Sequence, residues 1–143
     1  MPVEEHVLPH SLEAEMCALG SMIITESACL DVMSLVTSED FYSPAHSRIF
    51  SAMEHLATSG KAVDIVTVKD ELLARKILHE VGGAEYLIQI ADAVPSASNA
   101  IHYAERVRDY AVQRRLILAA GEIPKIVRDG YKALDIKIAE SLG

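Results

Sequence analysis

The chain has 143 residues, of which 50% are hydrophobic and 24% charged, and this apolar content excludes a disordered protein. Its 7 glycines and 2 cysteines exclude collagen-like and disulfide-scaffold proteins. That length is typical of one globular domain, and an aromatic content of 5% without tryptophan predicts an aliphatic core. The formal net charge of −8 disfavours a general DNA-binding role, because phosphate neutralisation supplies most non-specific affinity, although residues 102–132 are locally basic with seven cations against four acids.

The first half of the chain predicts a succession of short helices. Ser11 is a typical N-cap for the first helix, and a second helix is predicted over Glu26–Leu35. Residues 37–40 resemble a capping box that opens one short turn. Pro44 then occupies the first position of a third helix, which Gly60 ends.

The second half predicts further helices and one long one. The β-branched run 63–68 permits a strand, but its apolar residues keep helical spacing, which favours a helix. Gly82 and Gly83 break the chain before the next helix. The longest helix is predicted from residue 98 or 99 to about residue 123, where Pro124 kinks or ends it. Gly130 predicts a turn before a last helix from about residue 132, which the chain leaves incomplete.

The longest helix is apolar on two faces. Tyr103, Tyr110 and Ile117 recur every seven residues on the second of these faces. A helix of this kind is either buried on both sides or packs both on its own domain and on a partner. The first face consists of Ala100, Ala104, Val107, Ala111 and Leu118.

The sequence contains no motif for catalysis or nucleotide binding. It has neither a G-x-x-x-x-G-K-[ST] phosphate loop nor a G-x-G-x-x-G motif, and no nucleophile has a motif-level base. Cys17 and Cys29 fit no metal or redox spacing and are predicted to be buried free thiols. We therefore expect no catalytic residue, no metal site and no cofactor within these residues.

The histidines and acids of the first half have ordinary structural explanations. His6 and His10 lie four residues apart, but the tail that holds His6 is expected to be frayed, so metal binding is disfavoured. His46 is predicted to be packed and hydrogen-bonded, and the carboxylates are predicted to form a solvated face. Acids at the N-terminus, where a signal peptide requires cations, and the lack of a membrane-spanning stretch predict a cytoplasmic protein.

Several short motifs in fixed order resemble the N-terminal domain of the DnaB-type replicative DNA helicases. They extend over residues 14–116, and each motif is weak by itself, whereas their succession is specific. The motifs are Ala14-Glu15-x3-Leu19-Gly20, Asp40-Phe41-Tyr42-x3-His46-x2-Ile49-Phe50, Asp64-x-Val66-Thr67, Val81-Gly82-Gly83-x2-Tyr86-Leu87, Pro95-Ser96-Ala97-x-Asn99, Tyr103-Ala104-x2-Val107-Arg108 and Arg114-Arg115-Leu116.

This resemblance implies an all-α fold, with a compact helical head followed by a helical hairpin that is truncated here. It implies pairing of such domains through their hairpins, and three pairs forming the collar of a hexameric ring. The family's RecA-like ATPase domain is absent from these residues, so ATP and magnesium belong to the full-length parent, which also engages single-stranded DNA. Primase docks on the family's collar, and a helicase loader acts on the assembly.

The sequence thus predicts a flexible tail over residues 1–10, a head over 11–97, and a long helix with the start of a hairpin over 98–143. We expect a non-catalytic assembly and partner-docking domain. A stand-alone helicase loader or regulator that mimics this domain is the alternative; a helix-turn-helix DNA binder and a small hydrolase are disfavoured. The predicted partner-binding residues are Tyr103, Tyr110, Arg114, Arg115, Ile117, Leu118, Glu122 and Ile126.

Overall fold

The computed structural model describes the backbone of residues 7–142 and the side chains of residues 7–131. This part of the chain is all-α, as predicted, and contains no strand. Residues 1–6 of the predicted tail lie outside the described residues. The helices are α1 (Leu12–Ile24), α2 (Glu26–Leu35), α3 (Pro44–Thr58), α4 (Ile65–Ala74), α5 (Gly83–Asp92) and α6 (Ala100–Leu142), with short 3-10 turns at Ser38–Asp40 and Ala97–Asn99.

Side-chain caps explain why several helices begin where the sequence predicts. Ser11 accepts a hydrogen bond from the first turn of α1, and Ser43 does the same for α3, in which Pro44 is the first residue. At α4, Asp64 and Thr67 each accept a hydrogen bond from the other's backbone N–H, at 2.8 and 2.9 Å. This reciprocal cap satisfies two backbone N–H groups at the start of the helix, which in a strand would need a neighbouring strand as partner. The β-branched run therefore forms a helix, as predicted.

A single residue, Thr25, connects α1 to α2. Its backbone is extended, with φ −137° and ψ 146°, and its N–H donates to the carbonyl of Ser21 at the end of α1. Its hydroxyl oxygen accepts a hydrogen bond from the N–H of Ala28 at 3.0 Å. Thr25 therefore ends one helix and begins the next.

Glycines at the start of α5 and on the facing helix α1 determine how α5 packs. Gly82 has φ +112° and Gly83 has φ +74°, which confirms the predicted need for glycine before this helix. Gly20 of α1 lies so close to α5 that a Cβ there would collide with the carbonyl oxygen of Ile90 and with the side chain of Val94. Glycine at position 20 therefore allows α1 and α5 to make direct backbone contact.

The chain divides into two compact units, Met1–Ala111 and Val112–Gly143. The first unit, called the head below, holds an aliphatic core with few rings, as the composition predicts. Phe41 and Phe50 are both buried there, with ring centroids 5.2 Å apart. The largest side chains that are fully buried include Leu19, Met22, Ile49, Met53, Leu72, Leu87 and Ile90.

The helix α6 differs from the prediction at its C-terminal part. It continues through Pro124 and Gly130 to Leu142, so the predicted end near residue 123 and the turn at Gly130 were wrong. A second hairpin helix consequently does not begin near residue 132. Proline removes one hydrogen bond from a helix interior and disfavours it, but its φ is compatible with helix, and a bend is an alternative to a break. An isolated glycine is likewise tolerated within a helix at a modest cost.

Candidate interaction surface

The residues from Val112 to Tyr131 expose an unusual amount of large apolar surface. Soluble proteins seldom leave contiguous apolar patches in water unless the patch binds something. Six of the eight side chains concerned are more than half exposed, and Val112 and Ile117 are 42% and 49% exposed. The eight residues are Val112, Leu116, Ile117, Leu118, Ile123, Ile126, Val127 and Tyr131.

Four of the apolar residues align along one side of α6. Val112, Leu116, Ile123 and Val127 are separated by four, seven and four residues, which places them on the same helical face. Ala119 and other small apolar residues lie between them and are also exposed. We refer to Val112, Leu116, Ile123 and Val127 as the α6 stripe. The sequence interpretation missed this stripe, because it followed the seven-residue recurrence of tyrosine and isoleucine instead.

The predicted partner-binding residues do not share one face. Ile117 and Leu118 project about 100° and 200° away from Leu116 around the helix axis. Tyr103 and Tyr110, which belong to the head, are half-buried, and Arg114 is only 8% exposed. Arg115, Glu122 and Ile126 are exposed.

Tyr110 is held by a neighbouring cation on α6. The guanidinium of Arg106 donates to the Tyr110 hydroxyl at 3.3 Å, and its carbon lies 5.7 Å from the ring centroid. This is the geometry of a cation–π contact one helical turn apart. Tyr110 is therefore a half-buried ring with a cation beside it, whereas the large apolar residues further along α6 are exposed.

A buried hydrogen-bond network joins α1, α3 and α5 in the head. Glu15 is 2% exposed, and its carboxylate accepts from the N–H of Tyr42 at 2.7 Å and from the N–H of Ser43 at 3.3 Å. The same carboxylate lies 2.7 Å from Nδ1 of His46, whose Nε2 lies 2.6 Å from the hydroxyl of Tyr86. A carboxylate accepts and the Tyr86 hydroxyl can donate, so the geometry fits the tautomer in which Nδ1 donates to Glu15 and Nε2 accepts from Tyr86.

This network has the order of an acid–base relay but is enclosed by the head. Burial, followed by the charge of Glu15, raises the pKa of Tyr86, so its hydroxyl remains protonated and donates. A protonated hydroxyl already bound to His46 is a poor nucleophile. We interpret the network as a structural connection between helices. The prediction of a packed, hydrogen-bonded His46 is confirmed, whereas the solvated role predicted for the N-terminal acids is wrong at Glu15 and Asp40, which are 2% and 5% exposed.

The cysteines and potential metal ligands give no chemical site in the described part of the chain. Cys17 and Cys29 are both buried and free, as predicted. Burial raises the pKa of each thiol, and nearby glutamates add to the effect, so neither is activated. No group of three histidine, cysteine or acidic residues within the described residues is arranged to hold a metal ion. None of the described helices is long and apolar enough to cross a membrane.

The sequence matches a known family over most of its length. A family model described as "DnaB-like helicase N terminal domain" matches residues 7–109. The chain belongs to this family. Its sequence is 43% identical over 131 residues to the replicative DNA helicase DnaB of Geobacillus stearothermophilus, covering 92% of this chain and 28% of that protein. This chain therefore spans only about a quarter of the length of that full-length relative.

Solved structures agree with the family assignment. The crystal structure of the N-terminal domain of DnaB helicase from Mycobacterium tuberculosis superposes with a TM-score of 0.84 at 36% identity, covering 94% of this chain and 99% of that one. A DnaB-like replicative helicase whose structure was determined with its primase interactions has a TM-score of 0.72 at 24% identity, covering 92% of this chain and 31% of that one. This second comparison supports the fold alone.

Proposed function

We propose that this chain is the non-catalytic N-terminal assembly and docking domain of a hexameric replicative DNA helicase. Family membership and the relatives' much greater length support this proposal. In the parent protein, ATP hydrolysis with magnesium, movement along single-stranded DNA and duplex separation belong to another domain. This chain contributes to the collar, as one half of a dimer within a trimer of dimers, and provides contacts for primase and a helicase loader.

The single observation that carries the proposal is the exposed apolar surface of α6. An isolated helix with aliphatic side chains on several sides is costly in water, and a second copy of the same helix can cover them on both chains at once. Two protein contacts on one helix also require two surfaces. We assign self-association to the α6 stripe, and docking of another protein to the predicted set that includes Tyr110, Arg115 and Ile117.

The decisive experiment compares exposed isoleucines on different surfaces. We expect the chain to show a monomer–dimer equilibrium in the micromolar range, which corresponds to about −8 kcal/mol. Ile123→Asp should give a folded monomer, because it places a charge in the stripe. Ile117→Asp should keep the dimer and weaken binding of a primase helicase-binding domain. Ile88→Asp, at a residue of α5 that is 47% exposed, is the matched control and should change neither property.

Sedimentation velocity across a concentration series measures the first property, and calorimetric titration of primase measures the second. A parent chain that stays monomeric at millimolar concentration contradicts the assignment of self-association. If Ile117→Asp dissociates the dimer and Ile123→Asp does not, the two surfaces are assigned in the wrong order.

A further inference from the structure

The charged residues beside the α6 stripe follow a regular order along the helix. Arg115, Glu122 and Asp129 are separated by seven residues each, so they lie on one flank of α6, and all three are exposed. At the same spacing, the sequence carries Arg108 before Arg115. Read at intervals of seven residues, the sequence therefore has two cations followed by two acids.

Arg115 and Glu122 border the α6 stripe directly. Arg115 immediately precedes Leu116 of the stripe, and Glu122 immediately precedes Ile123. Arg115 projects about 100° from Leu116 in one direction, and Ile117 of the predicted docking set projects about 100° in the other. The flank that carries the charges is thus separate from the flank that carries Ile117. Where two helices pair, charges that flank the apolar seam determine the orientation and the choice of partner.

The contact that Glu122 makes within its own helix leaves its carboxylate accessible. Nζ of Lys125 lies 3.7 Å from that carboxylate, and both side chains are 62% exposed. Exposed ion pairs of this kind contribute little to stability. Arg115 lies seven residues from Glu122, beyond the three or four residues at which side chains on one helix meet. A pair between Arg115 and Glu122 therefore requires two chains.

We infer that two copies of α6 pair in opposite directions, with Arg115 of each copy facing Glu122 of the other. Self-association through the α6 stripe, as proposed above, is the premise, and the charges add its direction and register. A two-fold axis near residue 118 generates both ion pairs at once and brings Val112 of each copy beside Ile123 of the other. The order of the charges is complementary to its own reverse, which favours a second copy of this chain over a different protein.

Other arrangements of two copies bring like charges together. A parallel pair aligned residue for residue places Arg115 at the level of Arg115 and Glu122 at the level of Glu122. An antiparallel pair shifted along the axis can place Arg115 against Asp129, but it then places Glu122 against its own counterpart. Like charges at close range cost free energy in an interface, so these arrangements are disfavoured.

Sedimentation velocity of charge-reversed chains tests the pairing. Arg115→Glu and Glu122→Arg each place like charges together, and each should weaken self-association by at least about tenfold. The double variant restores both pairs with the signs exchanged and should associate within about threefold of the parent. Arg128→Glu is the matched control, because Arg128 is exposed and projects about 140° away from Arg115, and its self-association should stay within about twofold of the parent.

A mixture of the two single variants gives a sharper result. The Arg115→Glu chain has acids at both positions, and the Glu122→Arg chain has cations at both. Each variant should associate poorly alone, whereas an equimolar mixture should form a heterodimer with about the affinity of the parent, because both pairs between the chains are again of opposite sign. Absence of the heterodimer would contradict the pairing.

Crosslinking measures the direction independently of charge. Cys17 and Cys29 are buried, so a cysteine introduced at an exposed position of α6 reacts first with a short bis-maleimide. Around an axis near residue 118, position 119 lies close to its counterpart, whereas position 127 is about 25 Å from its counterpart along the helix. Ala119→Cys should therefore crosslink and Val127→Cys should not. Equal crosslinking of both would indicate parallel helices and overturn the inference.

Failure of this orientation is distinguishable from failure of the proposed function. If Arg115→Glu and Glu122→Arg associate like the parent while Ile123→Asp is monomeric, the stripe mediates self-association but the antiparallel pairing is wrong. If the parent itself remains monomeric, or if Ile123→Asp associates like the parent, self-association through the stripe is wrong, and the orientation is overturned with it.

Discussion

The head and the segment from Val112 to Tyr131 reverse the usual relation between polarity and burial. In the head, Glu15, Asp40 and His46 are at most 5% exposed, whereas along α6 Ile126 and Tyr131 are 66% and 70% exposed. The acids are buried because ordered donors surround them, whereas none of the described side chains beyond Ala111 covers the exposed apolar residues. In the head, polar groups are therefore buried where hydrogen-bond partners are available, and the exposed apolar residues of α6 are the surface to which we assign the proposed contacts.

The largest expected effect comes from removing the buried carboxylate of the head. Glu15→Ala leaves the backbone N–H groups of Tyr42 and Ser43 and the ring of His46 without their acceptor. We expect a loss of about 4 kcal/mol in the free energy of unfolding, as for other broken buried pairs. Glu13→Ala, an exposed acid on the same helix, should change it by less than about 0.5 kcal/mol. Urea unfolding followed by circular dichroism measures both, and similar values for the two variants would contradict a structural role for the network.

Replacing glycine by alanine should change stability in opposite directions in the two regions. Gly20→Ala places a Cβ against the backbone of α5 and should destabilise the head by about 3 kcal/mol. Gly121→Ala lies in α6, where an added Cβ meets no atom within 4 Å, and should stabilise that helix by about 1 kcal/mol. Thermal unfolding monitored by helical signal compares them. If Gly20→Ala leaves the stability unchanged, α1 and α5 can move apart without a free-energy cost.

The smallest expected effect tests the end of the network in the head. Tyr86→Phe removes the hydroxyl that donates to His46 and should cost about 1 kcal/mol at neutral pH. The pKa of Tyr86 is raised above its ordinary value of 10.0, first by burial and then by Glu15. The folded state therefore retains a proton that the unfolded state loses. This contribution to stability is complete below about pH 10 and is lost as pH rises through the folded-state pKa.

Denaturant unfolding at several alkaline pH values measures this dependence. The free energy of unfolding of Tyr86→Phe should decrease less steeply than that of the parent as the pH rises above the ordinary tyrosine pKa. Tyr103→Phe is the control, since the hydroxyl of Tyr103 makes no hydrogen bond with the described residues, and its profile should follow that of the parent. Identical profiles for the parent and Tyr86→Phe would show that the network does not govern alkaline stability.

Much of the head was predictable from sequence because local signals determine where its helices begin. The signals that start these helices affect only the backbone within a few residues, as at Ser11, Pro44 and the glycines at 82 and 83. The local sequence is therefore sufficient to predict where each helix begins. The burial of Glu15 was not predictable, because the groups that donate to it are separated from it by 27 or more positions along the chain. Nothing in its own helix distinguishes it from the exposed Glu13.

The second unit shows a different limit of sequence interpretation. Proline and glycine at positions 124 and 130 are strong helix-ending signals, but they act as free-energy costs rather than prohibitions, and α6 continues past both. The partner-binding set remains a prediction, because a recurrence of seven residues identifies a helical face without identifying what covers it. The alignment of Leu116, Ile123 and Val127 was present in the sequence but was less conspicuous than the tyrosines.

Thr25 has a consequence for how this domain tolerates changes in length. Because one residue both ends α1 and caps α2, the rotation of α2 about its axis is fixed by the length of this corner. One inserted residue would turn α2 by about 100° and carry Ala28, Cys29 and Val32 away from the core. The same corner fixes the spacing between Ile24 at the end of α1 and Leu30 in α2. Natural relatives should therefore vary by substitution at this position and place their insertions elsewhere.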